Sequence, residues 1–372
     1  MKKLLLAGGG HAHVHVLQDA AREAIAGATL TLVTPFPRQM YSGMLPGWVA
    51  GHYQVGQIVI PLPALAQAAR VQFIEGRIAG LDATRRVALL ADGREIGYDL
   101  LSLDTGPVMD RDAIPGAREH ALFLRPVEHF VTLFEQVLDR ASKKALDVAV
   151  VGGGAGGVEI ALALAWRLQQ LGTGARVALV AGADGPLPGF TPAVRERAIA
   201  ALKTRRVTVL PFAAAEIGPG FIRLDNHTDS GTRVACDVPL LAIGTSAPPW
   251  LRSSGLALDE RGFVQTGPTL QSVSHPEVFA AGDVATRQDA PHPKSGVHAV
   301  RAGPPLALNL RRAVGGGDLQ PHQPQPRTLY LLATGPKQAI ASWGHWSAAG
   351  RWVWWWKDHI DRGFIRRYGG SA

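Results

Sequence analysis

The sequence predicts an α/β protein with two parallel-sheet units and a small C-terminal module. Three observations carry this. The first is the stretch Asp147-Val-Ala-Val-Val-Gly-Gly-Gly-Ala-Gly-Gly-Val-Glu-Ile160. Its β-branched run (Val148, Val150, Val151) reads as a buried strand, and Gly152, Gly154 and Gly157 fill a G-x-G-x-x-G spacing. An Ala/Leu-rich helix from Val158 to Leu171 follows, closed by Gly172, and Arg176 to Val180 forms the next strand. The second is a similar start at the N-terminus, with a strand Lys3 to Ala7, the turn Gly8–His13, a helix Val14 to Ile25 and a strand Thr29 to Val33. The third is an apolar strand after each unit, one ending in Thr105-Gly106 and one in Gly244-Thr245. Together they predict two Rossmann-like three-layer dinucleotide-binding domains.

The glycines of the second motif have separate tasks. Gly152 permits the tight turn, Gly154 lets backbone approach a pyrophosphate, and Gly157 lets helix and strand pack closely. The free N–H groups and the helix dipole then face the phosphates. The plainer alternative is a glycine-rich strand–helix turn with no ligand.

Bulk composition agrees. The 372 residues suggest two or three domains, and a 47% hydrophobic fraction supplies real cores. One cysteine, Cys236, excludes an intramolecular disulfide, a Cys-x-x-Cys redox pair and a cysteine-rich metal site. It suits a reducing compartment. The formal charge of +8 favours anionic partners such as dinucleotides or anionic lipid, against the plainer reading of a solvated basic surface. No nucleic-acid motif is present. The apolar run after Met1 stops at Gly8, too short for a signal peptide, and no stretch reaches the roughly 18 apolar residues of a membrane span.

Along the chain, the first unit departs from its motif. Gly8 and Gly10 are kept, but His13 occupies the third glycine slot, and Thr34-Pro35 stands where an acidic residue is usual. The Thr34 hydroxyl offers a weaker hydrogen bond to a ribose. His11, His13 and His15 alternate, but residues two apart do not share a helix face, so no metal is expected. Met40–His52 reads as a long loop, either simply packed or lying over a flat ring system. Val71 to Glu75, Arg86 to Leu90 and Glu95 to Leu100 read as strands. Pro126 to Leu138 and Val194 to Lys203 read as helices. Val278–Ala285 is a strand running into Gly282-Asp283, and Pro293–Ala302 starts the next helix. Pro321–Pro326 is a proline linker.

This ordered set resembles the two-dinucleotide-binding-domain flavoproteins, the pyridine nucleotide–disulfide oxidoreductase superfamily, and within it the type II NADH dehydrogenase and sulfide:quinone oxidoreductase branch. Gly8-Gly-Gly-His11, Tyr41-Ser-Gly-Met-Leu-Pro-Gly47 and the segment Arg351–Arg362 look most like the flavoprotein domain fused ahead of selenide, water dikinase. The resemblance implies FAD on a split domain (1–112 and 250–318), NAD(P)H on a domain at 113–249, and a module at 319–372. It puts Gly8, Gly10 and His11 at the FAD pyrophosphate, and Thr34, Thr105, Gly106, Gly282 and Asp283 around the cofactor. Tyr41 and Ser42 belong to a loop over the ring. Lys294 and His298 flank a helix start near the flavin's N1–C2 edge. Gly152, Gly154 and Gly157 hold NAD(P)H. Glu159 and Lys294 are the implied catalytic residues, Glu159 lying near the nicotinamide or else merely complementing the helix dipole.

Departures narrow the activity. With no cysteine pair, disulfide reduction is excluded, and a cysteine-borne sulfide route is disfavoured. Ala181-Gly182 fill the second ribose-acid slot, which leaves NADH and NADPH both open, and Val297 stands where a quinone-site Gln is usual. The expected function is hydride transfer from NAD(P)H to FAD and on to an acceptor, with quinone the first candidate. The alternatives are a selenium-linked oxidoreductase and a non-catalytic flavin sensor. Six tryptophans (Trp343, Trp346, Trp352, Trp354, Trp355, Trp356) interleaved with Arg and Lys suit either a membrane interface or packing within the protein or a homodimer. The expected location is cytoplasmic, or peripheral on the inner face of a membrane.

Overall fold

The computed structural model describes residues 1–225 and 231–369. Two five-stranded parallel sheets organise it. The first runs in the order Val278–Ala280, Leu100–Leu103, Lys2–Ala7, Ala28–Thr34, Gln72–Glu75. The second runs Leu122–Phe123, Val238–Leu241, Asp147–Val151, Arg176–Val180, Thr208–Leu210. Helices in chain order are α1 (His11–Arg22), α2 (Leu45–Val49), α3 (Leu62–Ala68), α4 (Ala117–His120), α5 (Val127–Lys143), α6 (Ala155–Leu171), α7 (Pro192–Thr204), α8 (Gly296–Gly315) and α9 (Arg351–Tyr368).

The two-residue alternation of strand side chains builds three layers around each sheet. In Lys2–Ala7, Leu4 and Leu6 pack with Val14 and Leu17 of α1 and Leu306 of α8. Leu5 and Ala7 face the other way, onto Ala88, Leu90 and Tyr98. Ala88 and Leu90 belong to an antiparallel meander of Ile78–Asp82, Val87–Leu90 and Glu95–Gly97. The second sheet repeats the scheme. Val148 and Val150 meet Phe130 and Phe134 of α5, while Ala149 and Val151 meet Ile222 and Leu224 of the meander Ala213–Gly218, Phe221–Asp225 and Thr232–Ala235. The α/β class with Rossmann-like parallel sheets is therefore the observed fold.

Several local expectations are corrected. Both glycine-turn helices begin three residues earlier than expected, at His11 and Ala155, each directly after an extended glycine N-cap. In α6 the low helix propensity of Gly156 and Gly157 hides the first turn, and in α1 the His11-Ala12-His13 turn carries no apolar periodicity of its own. The expected strand Glu95–Leu100 is two strands, interrupted at Tyr98-Asp99, where Asp99 accepts the Lys3 N–H at 2.6 Å. The strand Val278–Ala285 breaks after Ala280, because Gly282 turns with φ of 69°. Met40–His52 is mostly not loop. It holds a 3-10 turn (Ser42–Met44) and α2, and Met44, Leu45, Trp48 and Val49 are buried with Phe130 and Phe134.

The C-terminal module is a three-stranded antiparallel sheet (Leu329–Ala333, Ala339–Trp343, Trp346–Gly350) followed by α9. It divides the tryptophans. Trp354 is buried and contacts His52 and Tyr53, with ring centroids at 5.1 and 6.1 Å. The other five are exposed, Trp355 by 63%. Denaturant titration should separate the two classes. Trp354→Ala is expected to cost about 3–5 kcal/mol through the cavity it leaves, and Trp355→Ala to stay within about 0.5 kcal/mol. Equal losses would mean that the exposed ring is structural.

Candidate active site

The first cradle forms where strand Lys2–Ala7 turns into α1. Gly8 has φ of 100°, and a Cβ there would collide with the Asp104 carbonyl and the Thr105 N–H. A Cβ at Gly10 would overlap the Asp104 carboxylate, and one at Gly9 would lie 3.1 Å from the Thr34 hydroxyl. Thr34 is buried at the end of its strand, and Thr105 donates to the Gly106 carbonyl at 3.4 Å. Asp104, which sequence reasoning missed, is the hub. Its Oδ2 accepts the N–H groups of Ala12 and His13 at 2.8 and 3.0 Å, so it satisfies two orphan donors of α1 from a different strand. Burial pushes its carboxyl up to about 7, opposed by the His13 and Ala12 N–H groups and helped by Asp283.

The three alternating histidines go to three places. His13 is a buried strut, Nδ1 to the Gly8 carbonyl at 2.6 Å and Nε2 to Ser102 Oγ at 2.8 Å. This explains why it replaces the third glycine. His15 meets the Tyr368 hydroxyl at 2.8 Å. His11 meets Gln39 at 3.2 Å, and its buried Nε2 has no partner within the protein. Burial holds both His11 and His13 down near 4, so both are neutral at pH 7.

The Gly-Asp turn closes the cradle. A Cβ on Gly282 would lie 2.6 Å from Asp104 Oδ1. Asp283 is mostly buried, with Arg125 at 4.0 Å. Burial raises its carboxyl, and Arg125 and Lys294 oppose the rise. Ser42 reaches the start of α8, since a Cβ on Gly296 would lie 3.3 Å from its Oγ. Ser295, the α8 N-cap, has a buried Oγ without a protein partner.

Tyr41 has one face taken by Phe364 of α9, stacked at 4.3 Å, and burial pushes its phenol far up. Lys294 turns away from Asp283. Its ammonium donates to the Ala285 carbonyl and, at 2.8 Å, to Thr286 Oγ1, and lies 4.0 Å over the Phe263 ring. Burial pulls it down to about 8. His298 stacks on His292 at 3.9 Å and meets Thr328 Oγ1 at 3.3 Å. It lines a cavity of about 400 Å³ with Gly282, Arg301 and His322.

The second cradle separates the roles of its glycines. A Cβ on Gly152 (φ 132°) would strike the Ala242 carbonyl, and one on Gly157 would strike that of Gly152. A Cβ on Gly154 or Gly244 would meet nothing within 4 Å. Gly152 and Gly157 therefore serve the fold, whereas Gly154 leaves open space at the N-terminus of α6. Arg195 was not foreseen at this rim. It donates to the carbonyls of Asp184 and, at 3.2 Å, Pro186, in the loop after strand Arg176–Val180.

Glu159 lies between the second sheet's helices and the C-terminal module. Its Oε1 accepts the Ala333 N–H at 2.7 Å, and burial raises its carboxyl to about 7 against the pull of Lys357. This corrects the plain helix-dipole alternative, because the side chain is engaged by another element. Lys357, also missed, donates to the Gly43 carbonyl at 2.6 Å and to Asp361 at 2.8 Å. Burial alone would lower it, but Asp361 and Glu159 outweigh that and hold it above the usual lysine range. The only sequence signal was the i,i+4 Lys–Asp spacing on the tail helix.

The residues present fit two dinucleotides. The first cradle offers orphaned polar atoms on His11 and Ser295, and the second offers an unfilled glycine edge at a helix N-terminus. Cys236 is buried with its thiol pushed up to about 11, so it supplies no thiolate.

Comparison with known proteins agrees. Demethylphylloquinone reductase NdbB of Synechocystis is 25% identical over 358 residues, which is 91% of this chain and 86% of that protein. The alternative NAD(P)H-ubiquinone oxidoreductase C1 of Arabidopsis thaliana is 28% identical over 77% of this chain, which spans 62% of its length. Among solved structures, NDH2 from Plasmodium falciparum in complex with NADH superposes with a TM-score of 0.81 at 13% identity, covering 100% of this chain and 99% of that one. The sequence profile of the pyridine nucleotide-disulphide oxidoreductases matches residues 2–303, and the chain belongs to that family.

Proposed function

We propose that this chain passes hydride from NADPH to FAD and hands the electrons to a quinone. The observation that carries the reading is the pair of glycine cradles on one chain with no reactive thiol to divert the electrons. In this reading residues 1–112 and 250–318 hold FAD, 113–249 hold the nicotinamide nucleotide, and 319–372 cover the ring end. Bound flavin supplies the redox chemistry, accepting a hydride and releasing its electrons.

The protein positions and polarises. The α6 N-terminus and the open edge at Gly154 receive the nucleotide phosphates. Arg195 beside Gly185, with Ala181-Gly182 in the acid slot, supports a 2′-phosphate and hence NADPH. The start of α8 at Ser295 offers a positive dipole end where reduction places negative charge. Glu159, with its carboxyl near 7, exchanges a proton close to neutrality, as quinone reduction requires. The names of the Synechocystis and Arabidopsis relatives support a quinone acceptor.

Among the described residues no helix is long and apolar enough to cross a membrane. The exposed Trp343, Trp346, Trp352, Trp355, Trp356 and Ile360 support peripheral contact with a membrane surface, which this reading assigns to the inner, cytoplasmic face.

A second reading is a selenium-linked oxidoreductase. It is favoured because the two segments resembling the flavoprotein domain fused to selenide, water dikinase touch each other, through Lys357 and the Gly43 carbonyl. Turnover that requires a selenium compound and ignores quinones would select it.

Three measurements test the main reading. Under anaerobic conditions the purified protein should absorb near 450 nm and bleach with NADPH at concentrations about tenfold below NADH, and Arg195→Leu should remove the difference. Bleaching by dithionite but by neither nucleotide would leave a sensor or a different donor. Gly154→Val should keep the flavin content and raise KM for NADPH at least about tenfold, whereas unchanged kinetics would move the nucleotide elsewhere. Co-sedimentation with anionic vesicles should be strong for the wild type and largely lost in a Trp352/Trp355/Trp356→Ala triple variant. Retained sedimentation would place the membrane contact on another surface.

A further inference from the structure

We infer that FAD binding in this chain is coupled to the uptake of one proton by Asp104. The inference rests on the reading of the first cradle as the flavin site. It begins with where this carboxylate lies. Asp104 follows strand Leu100–Leu103 at the carboxyl end of the first sheet's strands and is wedged between Gly10 and Gly282, neither of which has room for a Cβ beside it. Its Oδ2 already accepts the Ala12 and His13 N–H groups. The positive end of α1, which would otherwise meet a pyrophosphate alone, is thus answered by a charge of the same sign as the ligand's.

The neighbouring charges do not cancel it. From α1, His11 and His13 face the cradle and are neutral at pH 7. From the Gly-Asp turn comes a second carboxylate, Asp283, and Arg125 lies against that one rather than against Asp104. Lys294, ahead of α8, is held by Ala285 and Thr286. Among the described residues no lysine or arginine forms an ion pair with Asp104.

A pyrophosphate brings two negative charges into this space. Repulsion falls when one proton from solvent adds to Asp104 Oδ1. Oδ2 keeps accepting the two N–H groups, and the neutral carboxyl no longer repels the phosphates that the cradle would hold. One O–H bond forms, and no electron moves.

The sign of the coupling follows. The carboxyl is already near 7 without ligand, and the pyrophosphate raises it further. Below about pH 7 the site is protonated in both states, and affinity is flat. Above it, log Kd rises with pH toward a slope of one until the bound-state value is reached.

The test is a fluorescence titration of FAD into the full-length chain stripped of flavin, at pH 6 to 9. The expected result is a constant Kd to about pH 7 and a rise approaching tenfold per unit above it. Asp104→Asn, which keeps the oxygen acceptor, should flatten the profile and bind at least about tenfold tighter at pH 8.5. A wild-type profile flat from 7 to 9, or a slope that survives in Asp104→Asn, overturns the inference. If that variant does not fold, calorimetry of the wild type at pH 8 in buffers of different ionisation enthalpy decides alone, with one proton absorbed per FAD expected and none absorbed refuting it. Absence of FAD binding at every pH would remove the flavin reading and this inference with it, whereas binding without proton uptake removes this inference only.

Discussion

Three backbone approaches too close for any side chain set the rest of this structure in place. Gly8 lies against Asp104 and Thr105, Gly152 against Ala242, and Gly157 against Gly152 itself. Each joins a central strand to its helix at the carboxyl edge of a sheet. In the first sheet Lys2–Ala7 has Leu100–Leu103 on one side and Ala28–Thr34 on the other, and Asp147–Val151 is flanked in the same way. Chain connections therefore leave the central strand in opposite directions, and a crevice opens beyond its end. The tight turns aim a helix N-terminus at that crevice. A bulky residue at any of the three positions would displace the helix, and with it the N–H groups that make the crevice useful.

The C-terminal module depends on a different kind of contact. Lys357 is buried, and an unpaired buried ammonium would cost several kcal/mol. It is paired with Asp361 on its own helix and donates to the Gly43 carbonyl from a segment over 300 residues earlier. Glu159 of α6 adds a third direction of attraction. Partners this specific fix the rotation of α9. With Lys357 inward, Trp354 and Phe364 also turn inward, and Trp352, Trp355 and Trp356 are left outward. The exposed aromatic face is thus a geometric consequence of one buried charge.

What was legible follows the physics of each feature. Most strands of both parallel sheets were readable, because apolar runs and glycine turns are local signals, but the two-residue strand Leu122–Phe123 is too short to show a pattern. Arg176–Val180 has the expected bounds. Asp104 was unreadable as a hub: it caps a helix more than 90 residues away, and no local spacing encodes that contact. Arg195 was missed for a related reason, since it returns from α7 to a loop that the sequence shows only as Asp184–Pro186. The tryptophans illustrate the opposite limit. Composition left membrane contact and internal packing both open for them, and only the position of Lys357 on the helix decides which single ring packs inward.

The two cradles differ in a way that bears on how they would be used. The first is crowded: its glycines abut Asp104 and Thr34, its histidines are buried and neutral, and two carboxylates lie within it. A ligand there would lie against α1, the start of α8 and the Tyr41 segment, and would settle its charge against groups that are largely buried. The second is open: Gly154 and Gly244 face empty space, no carboxylate stands at 181–182, and the near cation is an arginine at the rim. Enclosure slows release, and an open, cation-rimmed edge favours rapid exchange of an anionic ligand. That asymmetry is what a two-step electron carrier needs, with one cofactor retained through each cycle and the other arriving and leaving. Burial leaves a carboxyl able to trade a proton near neutrality at each end of that path, Asp104 in the first cradle and Glu159 on the helix that opens the second, between the inner helices and the C-terminal module.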